Sequence, residues 1–568
     1  MEKVRFRVQK QEIRSKWTEI EETHPLPLLG GDLSVPKFII TMSNVRSDTL
    51  FTLIKSLSKS EKRYFKLSET NAQDTKYLRL FDLIDAQSVF DEAAILLAEP
   101  SFVPAQFSNL KAHLYNKVLK SLRDFSRPSI IGIQIRELID ESQILFNKSL
   151  YQQCAKRLKK AEKLAAEADN HELHLEILKW KKRVLTHTLD WENQSYVDEI
   201  VEKVRNANER INNINIFSNL QAQLQSLYRK TGYIRNEREF RKVEQIFTSN
   251  LPLVDERQLS VSEKIHLYHL YIGYYFFVQD FETGYGYALK WVELFRKNKS
   301  LLRPKLENYI AGLNYLLIAQ NKLELLTEFE ETRKELRTLN KLPATYYNDN
   351  IRRKMLKYTF VHEFNRLFLS GDFRRGVELI ERLSSGLEDF ILQLDAHSRV
   401  ILFYKTACLY FGNSDFKKSV FWLNKILTSK EVDLREDIHG FARILNLISH
   451  YELGNTDLIQ YYVRATYRFL LKTQDLHEYQ RLILRFLKGL HPHMTDEEVT
   501  HRFRLLREKM LELQDNPYER RAFVYFDMVS WLESRISGRP IMTVIQARVQ
   551  QRQREIEAAS DKILAASS

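Results

Sequence analysis

The sequence predicts an all-α protein, built as a solenoid of antiparallel helix hairpins that repeat with a period of about 42 residues. Three observations carry this expectation. Backbone breakers are scarce, with 16 glycines and 12 prolines in 568 residues, so the composition favours helix almost throughout. The chain is longer than one core usually holds, which implies several domains or a repeat array. One stretch, Ile401 to Lys430, reads as two amphipathic helices joined by a tight turn, and relatives of it recur along the chain.

In that stretch Phe403, Ala407 and Tyr410 share one face of the first helix at i, i+4 and i+7. Gly412 to Asp415 breaks the helix, and Phe416, Val420 and Leu423 form the inner face of the second. A hydrophobic content of 44% with 28% charged residues is that of a folded soluble chain.

Taken in order, residues 1–41 differ from the rest. Met1 to Lys16 holds six basic residues against two acidic ones, and Pro25, Pro27, Gly30, Gly31 and Pro36 follow. This segment reads as a disordered or extended arm, or as an extension upstream of a true start at Met42; the alternative is a basic arm that touches a partner. Residues 43–129 read as an N-terminal helical cap. Its helices are expected at Thr49 to Leu57, Ser58 to Lys66, Tyr77 to Ala86, Val89 to Ala98 and Pro104 to Phe125. Ser58 and Glu61 suit a capping box, and Pro104 and Pro128 suit first-turn positions. Lys62, Arg63 and Lys66 form a small basic patch, which fits a solvated helix face better than a phosphate site.

Residues 130–475 are expected to hold the repeats. Ile130 to Ala168 is the first clean hairpin. Glu172 to Lys230 is a charged helical region in which the asparagine-rich run Asn206 to Asn215 is a candidate turn. Beyond it, Phe240, Phe281, Leu323, Phe373, Phe416 and Leu458 mark the openings of successive second helices, at spacings of 41, 42, 50, 43 and 42. Three residues after the marker the site is small (Cys154, Gly284, Gly376, Ser419), which lets two helices approach closely. Thirteen before it the site is large (Leu138, Tyr268, Ile310, Phe360, Phe403, Leu445). Residues 476–568 read as a C-terminal helical capping region with a frayed tail. Helices are expected at His477 to Leu490, Asp496 to Gln514, Pro517 to Ile536 and Pro540 to Ala559.

The pattern Phe403-x3-Ala407-x2-Tyr410-x5-Phe416-x2-Ser419 resembles the tetratricopeptide-repeat superfamily, over roughly residues 130–475. Residues 443–455, with 467–470 after them, resemble bacterial tetratricopeptide-like proteins of no assigned function. The likeness implies a right-handed α-solenoid. Its departures are a period longer than the family's own repeat length, a degenerate Trp-Leu-Gly set and no regular closing proline. The family's groove positions, carried onto this chain, are His266, His269, Asn308, Tyr315, Tyr358, Asn365, Tyr404, Arg443, Asn446 and His450. Polar and aromatic residues of this kind suit peptide recognition. The family's Lys/Asn carboxylate clamp is not intact. The resemblance implies a non-catalytic scaffold or adaptor that binds a protein or peptide.

The search for chemistry yields no catalytic residues, no metal ligands and no cofactor motif. There is no GxxxxGK[ST] and no GxSxG. Gly284 and Gly286 make a lone GxG, and His362-Glu363 has Arg366 where a zincin has its second histidine. His491 and His493 with Asp496, Glu497 and Glu498 read as a loop and an acidic helix start. His171 with His174, and His266 with His269, share helix faces. Cys154 and Cys408 sit on apolar faces and read as buried reduced thiols. The formal charge is 87 − 74 = +13, which leaves nucleic acid as an alternative partner. The N-terminal stretch from Met1 to Gly30 lacks an apolar leader core, and the most apolar run, Leu267 to Val278, is too short to span a bilayer. A cytoplasmic protein without membrane insertion is expected; nothing in the sequence sets its oligomeric state.

Overall fold

The computed structural model describes residues 48–70, 76–188, 194–392, 394–428, 435–473, 475–491, 493–516, 518–519, 523, 526–551 and 554. The expected arm at 1–41, Tyr525 and the end of the C-terminal tail lie outside these residues. Among the described residues every regular element is a helix. They divide into two compact units, one of residues 48–211 with 340–346, the other of 212–339 with 347 onward.

The first unit opens with α1 (Thr49–Ser56), α2 (Lys59–Thr70), α3 (Lys76–Ala86), α4 (Glu92–Ala98) and α5 (Pro104–Ser126). Their core gathers Leu50, Ile54, Phe65, Phe81, Phe107 and Val118. Of the basic patch, Lys62 pairs with Asp85 and Lys66 with Asp82 on α3. Next come α6 (Ile131–Asn147), α7 (Tyr151–Glu167), α8 (His171–Leu185) and the start of α9 (Gln194–Thr231). Glu162 on α7 accepts from Lys181 at 2.8 Å and from Lys203 at 3.1 Å. His174 and these lysines hold its carboxyl well below the usual range.

The turn expected in Asn206 to Asn215 does not form; α9 runs straight through it. Two of its asparagines hold side-chain bonds that leave the helical ladder intact. Asn208 Nδ2 donates to the Val204 carbonyl and Asn213 Nδ2 to Glu263 Oε1, at 2.9 and 2.8 Å. The boundary between the units falls inside this run, after Ile211.

The second unit continues with α10 (Glu237–Ser249), α11 (Val261–Phe277), α12 (Phe281–Lys297), α13 (Leu302–Lys322), α14 (Leu326–Thr338), α15 (Asp349–Ser370), α16 (Phe373–Leu392), α17 (Ala396–Gly412), α18 (Phe416–Leu427), α19 (Glu436–Glu452) and α20 (Thr456–Lys472). It ends with α21 (Glu478–Lys488), α22 (Asp496–Leu513), α23 (Met528–Ser537) and a helical run over 541–551. The markers Phe281, Phe373 and Phe416 open their helices as expected. Leu323 instead caps the end of α13, while Phe240 and Leu458 sit inside the first turn of α10 and α20. Of the helix expected from Pro517, Phe523 is helical and a continuous helix is described from Met528. There Asp527 Oδ1 accepts from the Ser530 N–H and fixes the start.

Among the described residues one local geometry recurs at seven hairpin turns. A single left-handed residue stands in each: Ser149, Asp169, Gln279, Glu324, Gly371, Ser414 and Gly454. The next N–H reaches back five residues to a helical carbonyl, as in Leu150 to Leu145, Asp280 to Tyr275, Asp372 to Leu367 and Asp415 to Tyr410. That bond closes one helix while its donor residue caps the next. The expected small positions are tightly packed. Cys154 and Ser419 are fully buried. A Cβ on Gly284 would lie 2.6 Å from the Phe276 ring, and one on Gly376 would lie 2.9 Å from Leu409. Beyond the hairpins, Trp531 on α23 is buried and donates to Glu452 Oε1 at 2.7 Å.

Candidate binding face

The ten expected groove residues lie on α11, α13, α15, α17 and α19, the first helices of successive hairpins. Helical spacing puts them on one side of each helix, but the structure treats them unequally. His269 Nε2 stands 2.8 Å from the Tyr315 hydroxyl and 3.3 Å from Gln221 Nε2. The Trp291 ring packs against both His269 and Tyr315, with centroids at 5.6 and 5.9 Å. Burial, helped by the charge of His266, brings the His269 pKa down to about 4, so the imidazole is neutral.

Asn365 belongs to a chain of polar groups that links three helices. Lys405 Nζ donates to Asn365 Oδ1 at 2.6 Å, and Asn365 Nδ2 lies 3.2 Å from His362 Nδ1. His362 Nε2 lies 3.0 Å from Asn314 Oδ1. Burial, with the Lys405 charge second, lowers the His362 pKa to about 3. The neutral ring can then accept at Nδ1 and donate at Nε2. Burial also draws Lys405 down to about 8. It draws Lys322 to about 7, helped by the charges of Lys405 and Arg435.

Tyr404 does not face a groove. Only 5% of it is exposed, and it lines an apolar cavity with Phe441, Tyr479, Met510, Phe526 and Met528. The fold surrounds α17 on nearly all sides, so the side that helical spacing marks as open is core. Asn446 is likewise buried, and its Oδ1 has no hydrogen-bond partner. The Arg443 guanidinium sits 4.0 Å from the Phe469 ring centroid. His450 stacks on Tyr462 and lies 3.1 Å from Asn455 Nδ2. Tyr358, Asn308 and His266 are half-buried. Burial raises the Tyr358 hydroxyl to about 12, with help from Glu307 and Asp395.

A second feature covers part of this face. The end of α9 and the residues after it lie along α11, α17 and α19. Asn213 reaches Glu263, and Gln221 fills the space left by the missing side chain of Gly273. Tyr228 meets Phe277 and His397, and Arg435 lies over its ring at 5.3 Å. The Arg435 N–H donates to the Arg229 carbonyl at 3.0 Å. Arg235 then bonds Glu239, the Thr473 carbonyl and Glu436.

Sequence reasoning missed His362, Asn314, Lys405 and Gln221. The pair His362 and Asn365 at i, i+3 carried a signal, since two polar residues on one apolar helix need partners. The contact between Arg229 and Arg435 joins positions far apart in the chain and leaves no local pattern. Among the described residues no three His, Cys, Asp or Glu side chains gather in a way that could hold a metal ion, and no helix is long and apolar enough to cross a membrane. Comparison with protein-family models, with curated proteins and with solved structures returned no match.

Proposed function

We propose that this chain is a non-catalytic cytoplasmic scaffold, a right-handed tetratricopeptide-like solenoid with a period of about 42 residues that binds a protein or peptide. The recurrent turn geometry supports the repeat. The observation that carries the binding role is the set of polar and aromatic side chains that stay partly exposed on the first helices α11, α13, α15 and α19: His266, Asn308, Tyr358, Arg443 and His450. Tyr404, Asn365 and Asn446 drop out of the contact set because their own fold buries them. His269 and Tyr315 are largely engaged with each other and with Gln221. The test is affinity capture followed by mass spectrometry, with wild type beside a Tyr358→Ala, Arg443→Ala double variant. Loss of specific partners from the variant is the expected result. The same partners at the same yield would exclude this face.

A further inference from the structure

A different surface carries a second binding role, independent of the inner positions. The helices α20 and α21 pack together, and Gln460 Nε2 near the start of α20 donates to the Lys488 carbonyl at the end of α21 at 3.2 Å. Their inward faces bury Ile459, Val463, Leu470, Ile483 and Leu487. Their outward faces expose Arg464, Arg468, Lys472, Arg481, Arg485 and Lys488.

The balance of charge there is lopsided. Asp475 is fully buried. Among the described residues the Glu478 carboxylate pairs with Arg481 and Arg485, at 3.4 and 3.6 Å. Arg464, Arg468, Lys472 and Lys488 have no carboxylate within ion-pair distance among the described residues. On α18, by contrast, Lys418 pairs with Glu381 and Lys425 with Glu388, both on α16. Along α20 the cations recur at every fourth residue, about 6 Å apart, where like charges repel by a few tenths of a kcal/mol per pair. Two rings lie beside this row: Tyr461 is 61% exposed and Tyr467 44%.

We propose that the outer face of α20 and α21 binds single-stranded nucleic acid. A regular row of cations complements a backbone with one charge per nucleotide. Exposed tyrosines offer faces on which unpaired bases stack without sequence preference. An acidic protein helix fits less well, because it would need an apolar groove, and this face offers only Leu458 and Leu471 beside the rings.

The test is fluorescence anisotropy with a labelled 20-nucleotide oligouridine in 50 and 200 mM KCl. Binding is expected to weaken with salt at a slope of about −0.7 per phosphate contacted. Arg464→Gln, Arg468→Gln and Lys472→Gln together should weaken binding at least tenfold and flatten that slope. Tyr461→Ala with Tyr467→Ala should weaken it about 30-fold or more and leave the slope unchanged. Glu478→Gln, which adds no bulk, should tighten it. A control triple, Lys156→Gln, Lys159→Gln and Lys160→Gln, removes the same charge from α7. No binding at 50 mM KCl overturns the proposal. So does equal loss in the control triple. Displacement by polyglutamate with no effect of the tyrosine changes overturns it as well, and assigns the face to acidic chains.

Discussion

Gly232 and Asp437 meet so closely that no other residue fits at 232: a Cβ there would lie 2.0 Å from Asp437 Oδ2. Gly232 also holds a left-handed backbone, φ +76°. Asp437 is fully buried, and its two oxygens take Arg435 Nε and Nη2 at 2.9 and 2.8 Å. Gly232→Ala therefore combines backbone strain with displacement of a buried ion pair. A loss of about 3 to 5 kcal/mol is expected in urea denaturation. A loss under about 1 kcal/mol would show that the two residues do not touch.

The polar chain through Asn365 makes stability depend on pH. In the unfolded chain His362 takes a proton near pH 6.5, but folded it resists to about pH 3. The unfolded state thus binds more protons between these values, and stability falls as pH drops through that window. His269 and His397, each lowered to about 4 mainly by burial, act with the same sign. Lys405, Asn365, Asn314 and Phe329 surround the His362 ring. His362→Gln should cut the slope of stability against pH below 6 by up to one proton, about 1.4 kcal/mol per pH unit. Denaturation curves at pH 7, 6 and 5 decide this; an unchanged slope contradicts it.

Tyr404 offers a contrast between ring and hydroxyl. Its hydroxyl finds no oxygen or nitrogen partner, so Tyr404→Phe should be neutral or stabilising by about 1 kcal/mol. Tyr404→Ala should cost about 3 to 5 kcal/mol through the cavity it leaves. Partner binding by Tyr404→Phe should match wild type. Lost binding with unchanged stability would return this residue to the contact set.

Ser414 tests the shared turn. It holds φ +62° at the same place in its turn where Gly371 and Gly454 stand in theirs. Ser414→Gly relieves a left-handed side chain and should raise stability by up to about 1 kcal/mol. A lower melting temperature would show that this turn is not held as described.

The helices were readable because Phe281, Phe373 and Phe416 follow a turn whose chemistry is local. Leu323 misled by three residues, since the turn there has Glu324 in the left-handed position and Leu325 at the cap, with none of the capping aspartates that stand at Asp280, Asp372 and Asp415. The binding face was less readable. Spacing places Tyr404, Asn365 and Asn446 on a side of a helix, but it cannot say what packs against that side. Tyr404 is covered from α19, α21, α22 and α23, and Asn365 from α17, all distant in the chain.

Residues 213–235 lie against α11, α17 and α19. A photo-crosslinking amino acid at Tyr228, followed by peptide mapping, tests this directly. The predicted adducts fall on peptides that hold His397, Arg435 and Phe277. Adducts confined to residues near Tyr228 in the sequence would contradict it.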